Sequence, residues 1–345
     1  MKAIFNNIAI KAITTYLPKQ VLEMTSLAKE YGEKEVANII KATGVNRVHI
    51  ADKNETSSDM CFKAASYLIE KENIDRATID GVIFVSQTTD YILPSTSIIL
   101  QDRLGLSKET VCIDIHYGCS GYIYGLYQAA LWISSHSCKN VLLLAGDTTS
   151  RMIHPLDKSL RMVFGDAGTA SLITMGQSAM GVSICSDGSG YDQLIVPAGG
   201  FRIPVSSETK EVIFDKDKNG RTMEHLYMDG MSIFNFAISN VHKNIDSVIE
   251  LMNWNKGEIN LYALHQANAF MVNYIRKKLK VDSSKVPVNV GNYGNTGPAT
   301  IPLLLSNINE NELGKTIMSG FGVGLSWGSI AIDLKGTKLY KPINK

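Results

Sequence analysis

The chain alternates short runs of β-branched and apolar residues with longer stretches whose apolar positions recur at helical spacing. Runs bounded by Gly, Pro, Asn or Asp predict strands at 81–85, 111–115, 140–144, 170–174, 260–264, 286–290, 316–319 and 329–334. Helical patterns occupy 58–71, 121–135, 230–253, 269–279 and 299–307. The second of these is apolar nearly all round, as a helix buried in a core should be. Strands alternating with helices predict an α/β protein with a largely buried sheet.

The pattern is written twice. The succession strand, helix, strand, helix start, strand in 80–175 recurs in 258–334, and the turn around Cys119 answers the turn around Asn295. A duplicated chain divides into an N-terminal half, 1–175, and a C-terminal half, 176–345. Their equivalent strand ends converge and bring Cys119, His265 and Asn295 to one junction, at the carboxyl ends of strands where ligands settle. Residues 200–227 fit neither half. Polar and charge-dense, with the turn signal Asp217-Lys218-Asn219-Gly220, they read as a surface excursion, either a solvated hairpin or a cover over a substrate tunnel.

Composition narrows the classes of function. At 345 residues and 45% hydrophobic the chain has ample material for a large core, which argues against disorder. Lys plus Arg number 34 against 33 Asp plus Glu, so no overall field gathers nucleic acid or holds an anionic membrane. No apolar run approaches the roughly 20 residues of a bilayer crossing. The opening residues, Met1-Lys2-Ala3-Ile4-Phe5-Asn6-Asn7, turn polar before an export signal's apolar core could form, so the cytoplasm is the expected location. The five cysteines, Cys61, Cys112, Cys119, Cys138 and Cys185, show neither CxxC spacing nor nearby paired histidines, so no disulfide framework and no metal site is expected.

Cys119 alone has a reactive setting. In His116-Tyr117-Gly118-Cys119-Ser120-Gly121 it follows a predicted strand and precedes the buried helix, where unpaired N–H groups and the helix dipole favour a thiolate. His265 lies in Leu264-His265-Gln266-Ala267-Asn268, a polar group ending a buried strand, which needs partners or a purpose. Asn295 lies in a turn between a predicted strand and a helix, Gly294-Asn295-Thr296-Gly297-Pro298-Ala299-Thr300. The segment Gly320-Phe321-Gly322-Val323-Gly324-Leu325-Ser326-Trp327-Gly328 has the glycines to expose backbone N–H groups of the kind that bind an oxyanion.

Together these elements resemble, from end to end, the β-ketoacyl-[acyl carrier protein] synthase III group of the thiolase-like condensing enzymes. The Gly-Cys-Ser-Gly turn, the His-Gln-Ala-Asn quartet, the Gly-Asn-Thr segment and the Phe-Gly-x-Gly-Leu-Ser-Trp-Gly ending carry the resemblance, with Phe164-Gly165-Asp166-Ala167-Gly168 and Leu93-Pro94-Ser95. It implies a thiolase-like fold of two duplicated βαβαβαββ halves in a five-layer αβαβα arrangement, assembled as a homodimer. It implies that Cys119 takes an acyl group from an acyl-CoA or acyl-[acyl carrier protein]. His265, through Nε2–H, and Asn295, through its amide, would stabilise the enolate formed as malonyl-[acyl carrier protein] loses CO₂, and the backbone N–H groups of Cys119 and Val323 would form the oxyanion hole. Leu93, Phe321 and Phe270 fall to the substrate pocket, Leu93 at the position that closes the pocket of a second copy. No metal or redox cofactor is implied, since CoA and phosphopantetheine thioesters are substrates.

Departures from the family pattern bear on the substrate. Relatives that prime with acetyl-CoA carry Trp and Arg around an R-T-G motif; here the segment reads Asn38-Ile39-Ile40-Lys41-Ala42-Thr43-Gly44. Phe270 stands where a basic residue commonly helps dock the carrier, while Arg276, Lys277 and Lys278 offer a basic face further along the same helix. These differences point to a specialised fatty-acid, polyketide or polysaccharide-related pathway. A cysteine hydrolase would share the order Cys, His, Asn, but the papain word Cys-Gly-Ser-Cys-Trp is absent. Acyl transfer to an alcohol or amine without carbon–carbon bond formation stays open, and a non-catalytic partner subunit would be expected to lose one of the three residues.

Overall fold

In the computed structural model, which describes residues 1–344, the long strand β1 (Lys2–Tyr16) lies at the centre of the sheet. The first half adds β2 (Gly81–Val85), β3 (Val111–Ile115), β4 (Asn140–Asp147) and β5 (Ala167–Met175). The second half supplies β6 (Ser178–Ser186), β7 (Leu261–Leu264), β8 (Lys315–Gly322) and β9 (Ser326–Asp333). Their order across the sheet is β7-β8-β9-β6-β1-β5-β4-β2-β3. β2 runs parallel to β3 and β4, and β7 to β8; the other neighbours are antiparallel. Read outwards from the centre, β1-β5-β4-β2 and β6-β9-β8-β7 are laid down in the same succession.

The period of two along each strand sorts its side chains between layers. Val82 and Phe84 of β2 and Leu142 and Leu144 of β4 pack with Met60, Ala64 and Leu68 of α1 (Ser57–Lys71). Their neighbours Ile83, Val85, Leu143 and Ala145 turn the other way, onto Tyr122, Leu126 and Ile133 of α2 (Gly121–Ser134). In the second half Tyr262, Leu264 and Ile317 meet Val241, Ile245 and Val248 of α3 (Gly230–Leu251) and Val272 and Ile275 of α4 (Ala269–Leu279). Ala263 and Met318 instead join Ile301 and Leu304 of α5 (Thr300–Leu305) in the cluster that holds α2. Helices thus lie outside both halves and between them, in the five-layer αβαβα arrangement expected. The all-round apolar character of α2 follows from its place in the middle layer. A reciprocal capping box starts α1, with the Thr56 hydroxyl accepting from Asp59 N–H and the Asp59 carboxylate from Thr56 N–H.

Three expectations change. The run 286–290 is not a strand, because Pro287 lacks the N–H a ladder needs and Val290 already opens the short helix Val290–Tyr293. The second half therefore carries no counterpart of β3. The helix expected at 299–307 is a 3₁₀ turn, Gly297–Ala299, followed by α5. Strands β1 and β6 and the helices Glu33–Thr43 and Thr96–Arg103 are additional to those expected.

Within 200–227, Ile213–Phe214 pairs with Gly220–Arg221 as a small hairpin. Its strand Ile213–Phe214 stays exposed, but the hairpin is anchored to the body: Gly220 N–H donates to Leu156 C=O, Lys158 Nζ to Asp217 C=O, and Arg221 bridges the buried Asp157 and the partly exposed Asp215. Among the described residues no helix is long and apolar enough to cross a membrane.

Candidate active site

The turn between β3 and α2 holds Cys119. Gly121 N–H donates to Gly118 C=O at 2.7 Å, and the Ser120 and Ser326 hydroxyls meet at 2.6 Å, tying this turn to the start of β9. The Cys119 thiol faces the backbone N–H of Val323 and its own N–H. Burial pushes the thiol up to about 12 and outweighs both N–H groups. The resting group at neutral pH is therefore the thiol, not the thiolate that its place before a helix suggested, because loss of water costs the anion more than the exposed N–H groups return. Of the five cysteines, Cys119 alone lines the central cavity.

His265 leaves the end of β7, with its N–H bonded to Ser319 C=O on β8. Its ring is 1% exposed and stands edge-on to Phe321, centroids 5.4 Å apart. Burial lowers it to about 3, so it is neutral at working pH. Nδ1 lies 2.6 Å from Thr300 Oγ1, which is also 3.1 Å from Gly297 C=O. With the hydroxyl hydrogen on Gly297 the ring carries Nδ1–H and Nε2 is a base; with it turned to Nδ1 the ring carries Nε2–H and is a donor. Thr300, the first residue of α5, was not singled out in the sequence because a threonine opening a helix is ordinary.

Asn295 is fixed by backbone and side chain alike. Its N–H donates to Val163 C=O, its C=O accepts from Gly165 N–H, and Oδ1 accepts from Gly297 N–H at 3.0 Å. With Oδ1 so engaged the amide presents Nδ2, which has no hydrogen-bond partner among the described residues, nor has His265 Nε2. Gly297 thus bonds both neighbours, Asn295 through its N–H and, through its C=O, the Thr300 that holds His265. Gly297 itself lies on the cavity wall with Cys119 and Val323.

The cavity measures about 660 Å³. Gln87, His116, Asp147 and Thr149 line it from the first half, Gly297, Val323 and Gly324 from the second, and Tyr191, Leu194, Ala198 and Leu226 from the segment before α3. Only the ends of the 200–227 excursion, Gly200 and Leu226, reach it; the hairpin packs on 156–158 instead. Asp147 and Gln87 carried no sequence signal beyond lying just after predicted strands.

The expected pocket residues fare unevenly. Phe321 is buried against His265, behind the cavity wall rather than on it. Phe270 is 58% exposed on α4, stacked on Phe234, and does not line the cavity, because the first turn of that helix presents it outward. Leu93 is 79% exposed and does not line this chain's cavity, whereas Ile92 does.

Comparison with known proteins gives one family. Residues 113–188 match the model for 3-oxoacyl-[acyl-carrier-protein] synthase III, and residues 249–334 match its C-terminal model. A beta-ketoacyl-[acyl-carrier-protein] synthase III of Streptococcus agalactiae is 33% identical over 335 residues, covering 94% of this chain and 98% of its own. A beta-ketoacyl-[acyl-carrier-protein] synthase III of Clostridium novyi is 31% identical over 333 residues, 95% and 99% of the two chains. The crystal structure of a 3-oxoacyl-(acyl-carrier protein) synthase from Burkholderia xenovorans superposes with a TM-score of 0.93 at 34% identity, covering 100% of this chain and 99% of that one.

Proposed function

The chain belongs to the 3-oxoacyl-[acyl-carrier-protein] synthase III family, a class of acyltransferases with the thiolase-like fold, and we propose that it condenses a Cys119-bound acyl group with a malonyl thioester. One observation carries the reading: Gly297, on the cavity wall with Cys119 and Val323, is hydrogen-bonded to Asn295 and to the Thr300 that holds His265.

In the first step Cys119 Sγ attacks the thioester carbonyl of an acyl-CoA or acyl-carrier donor. As the carbon–sulfur bond forms, the thiol proton passes to bare His265 Nε2. The carbonyl oxygen collects charge facing the N–H groups of Cys119 and Val323, and collapse expels the donor thiolate, which regains the proton. Passing the proton as the bond forms keeps charge off the sulfur, which matters here because burial resists a standing thiolate. In the second step the malonyl carbon–carboxylate bond breaks, CO₂ leaves, and its electron pair moves into an enolate. Between the steps the ring exchanges its proton with solvent, losing Nδ1–H and gaining Nε2–H as the Thr300 hydroxyl turns to Nδ1; Asn295 Nδ2 and His265 Nε2–H then donate to the enolate oxygen, a neutral donor pair in a site where each such bond is commonly worth about 3 kcal/mol. The nucleophilic carbon then attacks the acyl group, the bond to Cys119 Sγ breaks as the β-ketoacyl product forms, and the departing sulfur takes a proton from solvent to return to the thiol.

The Asn38–Gly44 segment, without the Trp and Arg of acetyl-CoA-priming relatives, supports a donor other than the acetyl-CoA of general fatty-acid initiation, in a specialised pathway. A homodimer is supported by the free edge of β3, the last strand of the sheet, flanked by exposed Tyr91, Ile92, Leu93, Ile98 and Val111. In such a dimer Leu93 would close the acyl pocket of the second copy, and light scattering of wild type against Leu93→Asp tests the contact. Intact-protein mass spectrometry of wild type and Cys119→Ala with a panel of acyl-CoA and acyl-carrier donors tests the chemistry. A mass gain confined to wild type is expected; an equal gain in Cys119→Ala would refute the nucleophile.

A further inference from the structure

Two polar groups in the wall beside the nucleophile are left without partners. Asp147, the last residue of β4, is 1% exposed. Its Oδ1 accepts from Ser86 Oγ at 2.8 Å, Gln87 N at 2.7 Å, Thr88 N at 3.1 Å and Thr88 Oγ1 at 3.0 Å. Oδ2 accepts from no group among the described residues; it lies 2.9 Å from where a side-chain carbon on Gly297 would stand. Gln87, on the loop that Oδ1 organises, likewise has no hydrogen-bond partner for its side-chain amide among the described residues, and Oε1 overlaps the place of a side-chain carbon on Gly118, next to Cys119. Both residues line the cavity. Gly118 and Gly297 leave the space that these two polar ends fill.

Beside His116, Thr149 and Tyr191, the rest of that wall is mostly apolar, from Ile92, Met152, Phe164, Leu194, Val196 and Leu226. A plain alkyl chain drawn into it would strip water from Asp147 Oδ2 and the Gln87 amide and replace none of their hydrogen bonds, which is unfavourable for a neutral amide and more so for a carboxylate. We propose that the acyl group taken up by Cys119 carries a hydrogen-bond donor, a hydroxyl or an amino group, near its thioester, bound by Asp147 Oδ2 and the Gln87 amide. This rests on the acyl-enzyme reading above. A hydroxyl would donate to Asp147 and accept from Gln87 Nε2; an amino group would donate to Asp147 Oδ2 and Gln87 Oε1. Burial pushes Asp147 up to about 6, so at neutral pH it is ionised and accepts at both oxygens.

The test compares rates of Cys119 acylation, by intact mass, for butanoyl, 3-hydroxybutanoyl and 3-aminobutanoyl thioesters presented on CoA and on a carrier protein. In wild type one substituted chain should react at least about 10-fold faster than butanoyl, since a buried polar site discriminates strongly against the analogue that lacks the matching group. The hydroxy and amino arms identify which group it is. Gln87→Leu should bring the substituted and plain chains to within about two-fold, with butanoyl faster than in wild type. Asp147→Asn preserves an acceptor for the 86–88 loop and should remove any preference for the amino chain. Butanoyl reacting as fast as both substituted chains in wild type, or a preference untouched by both substitutions, overturns the proposal while the acyl-enzyme stands. No mass gain with any donor overturns the acyl-enzyme reading and this inference together.

Discussion

His265 Nδ1 and Thr300 Oγ1 lie 2.6 Å apart, and the same hydroxyl reaches Gly297 C=O at 3.1 Å. One hydroxyl hydrogen serves two acceptors, so this contact holds the ring in place while allowing either neutral tautomer. It couples His265, proposed to handle the proton, to the turn that carries Asn295.

Thr300→Val keeps the shape of the side chain and removes that hydrogen bond. Because one such bond is worth about 1 kcal/mol net and its loss strands a buried Nδ1, kcat should fall roughly 10-fold with KM for the donor little changed. Thr300→Ser should restore most of it. Steady-state kinetics of the two variants check the expectation, and an unchanged kcat in Thr300→Val would remove Thr300 from the account.

Asn295 presents Nδ2 because Gly297 N–H occupies Oδ1. Asn295→Ala should leave Cys119 acylation near the wild-type rate while CO₂ release from malonyl carrier falls about 100-fold, the usual consequence of deleting one oxyanion donor. Separate assays of mass gain and CO₂ distinguish the steps; equal loss in both would place Asn295 in the first.

Asp147 gives stability a pH dependence of definite sign. Its carboxyl is raised from 3.8 to about 6 in the fold, so between those values the native state binds more protons than the unfolded chain. Stability therefore falls as pH rises through this window and levels off above it. Asp147→Asn lacks the effect, and its stability relative to wild type should rise by about 2 kcal/mol between pH 4 and 7, measured by urea unfolding at each pH. His265, lowered by burial, contributes in the opposite direction but equally in both proteins, so it cancels from the difference.

Leu126 is fully buried in the middle-layer cluster, whereas Phe201 in the excursion is 90% exposed. Leu126→Ala should cost about 3 kcal/mol and Phe201→Ala less than about 0.5. Similar losses in the two would contradict the layer assignment.

The duplicated succession of strands, the buried helix and the three polar residues were legible in the sequence because each is local: a periodicity, a Gly-flanked cysteine, a histidine ending an apolar run. β1 was not, since Asn6 and Asn7 interrupt its apolar pattern; Asn7 takes φ 60° within the register irregularity between Phe5 and Ile8 in the pairing with β6. β6 is hidden by its Ser, Gly, Met and Cys content, which packs well only between two other strands. The reverse error at 286–290 came from counting Val and passing over Pro287. The protonated resting state of Cys119 and the unpartnered ends of Asp147 and Gln87 depend on burial and on neighbours distant in sequence, which local patterns do not carry.

The most direct test of the account is a single-turnover reaction of pre-acylated protein with malonyl carrier, following CO₂ and β-ketoacyl product together. The account predicts one CO₂ for each product in wild type and no β-ketoacyl product above background in Cys119→Ala treated with the same donor. Product formed at the wild-type rate by Cys119→Ala, or acyl transfer from wild type without CO₂, would contradict it.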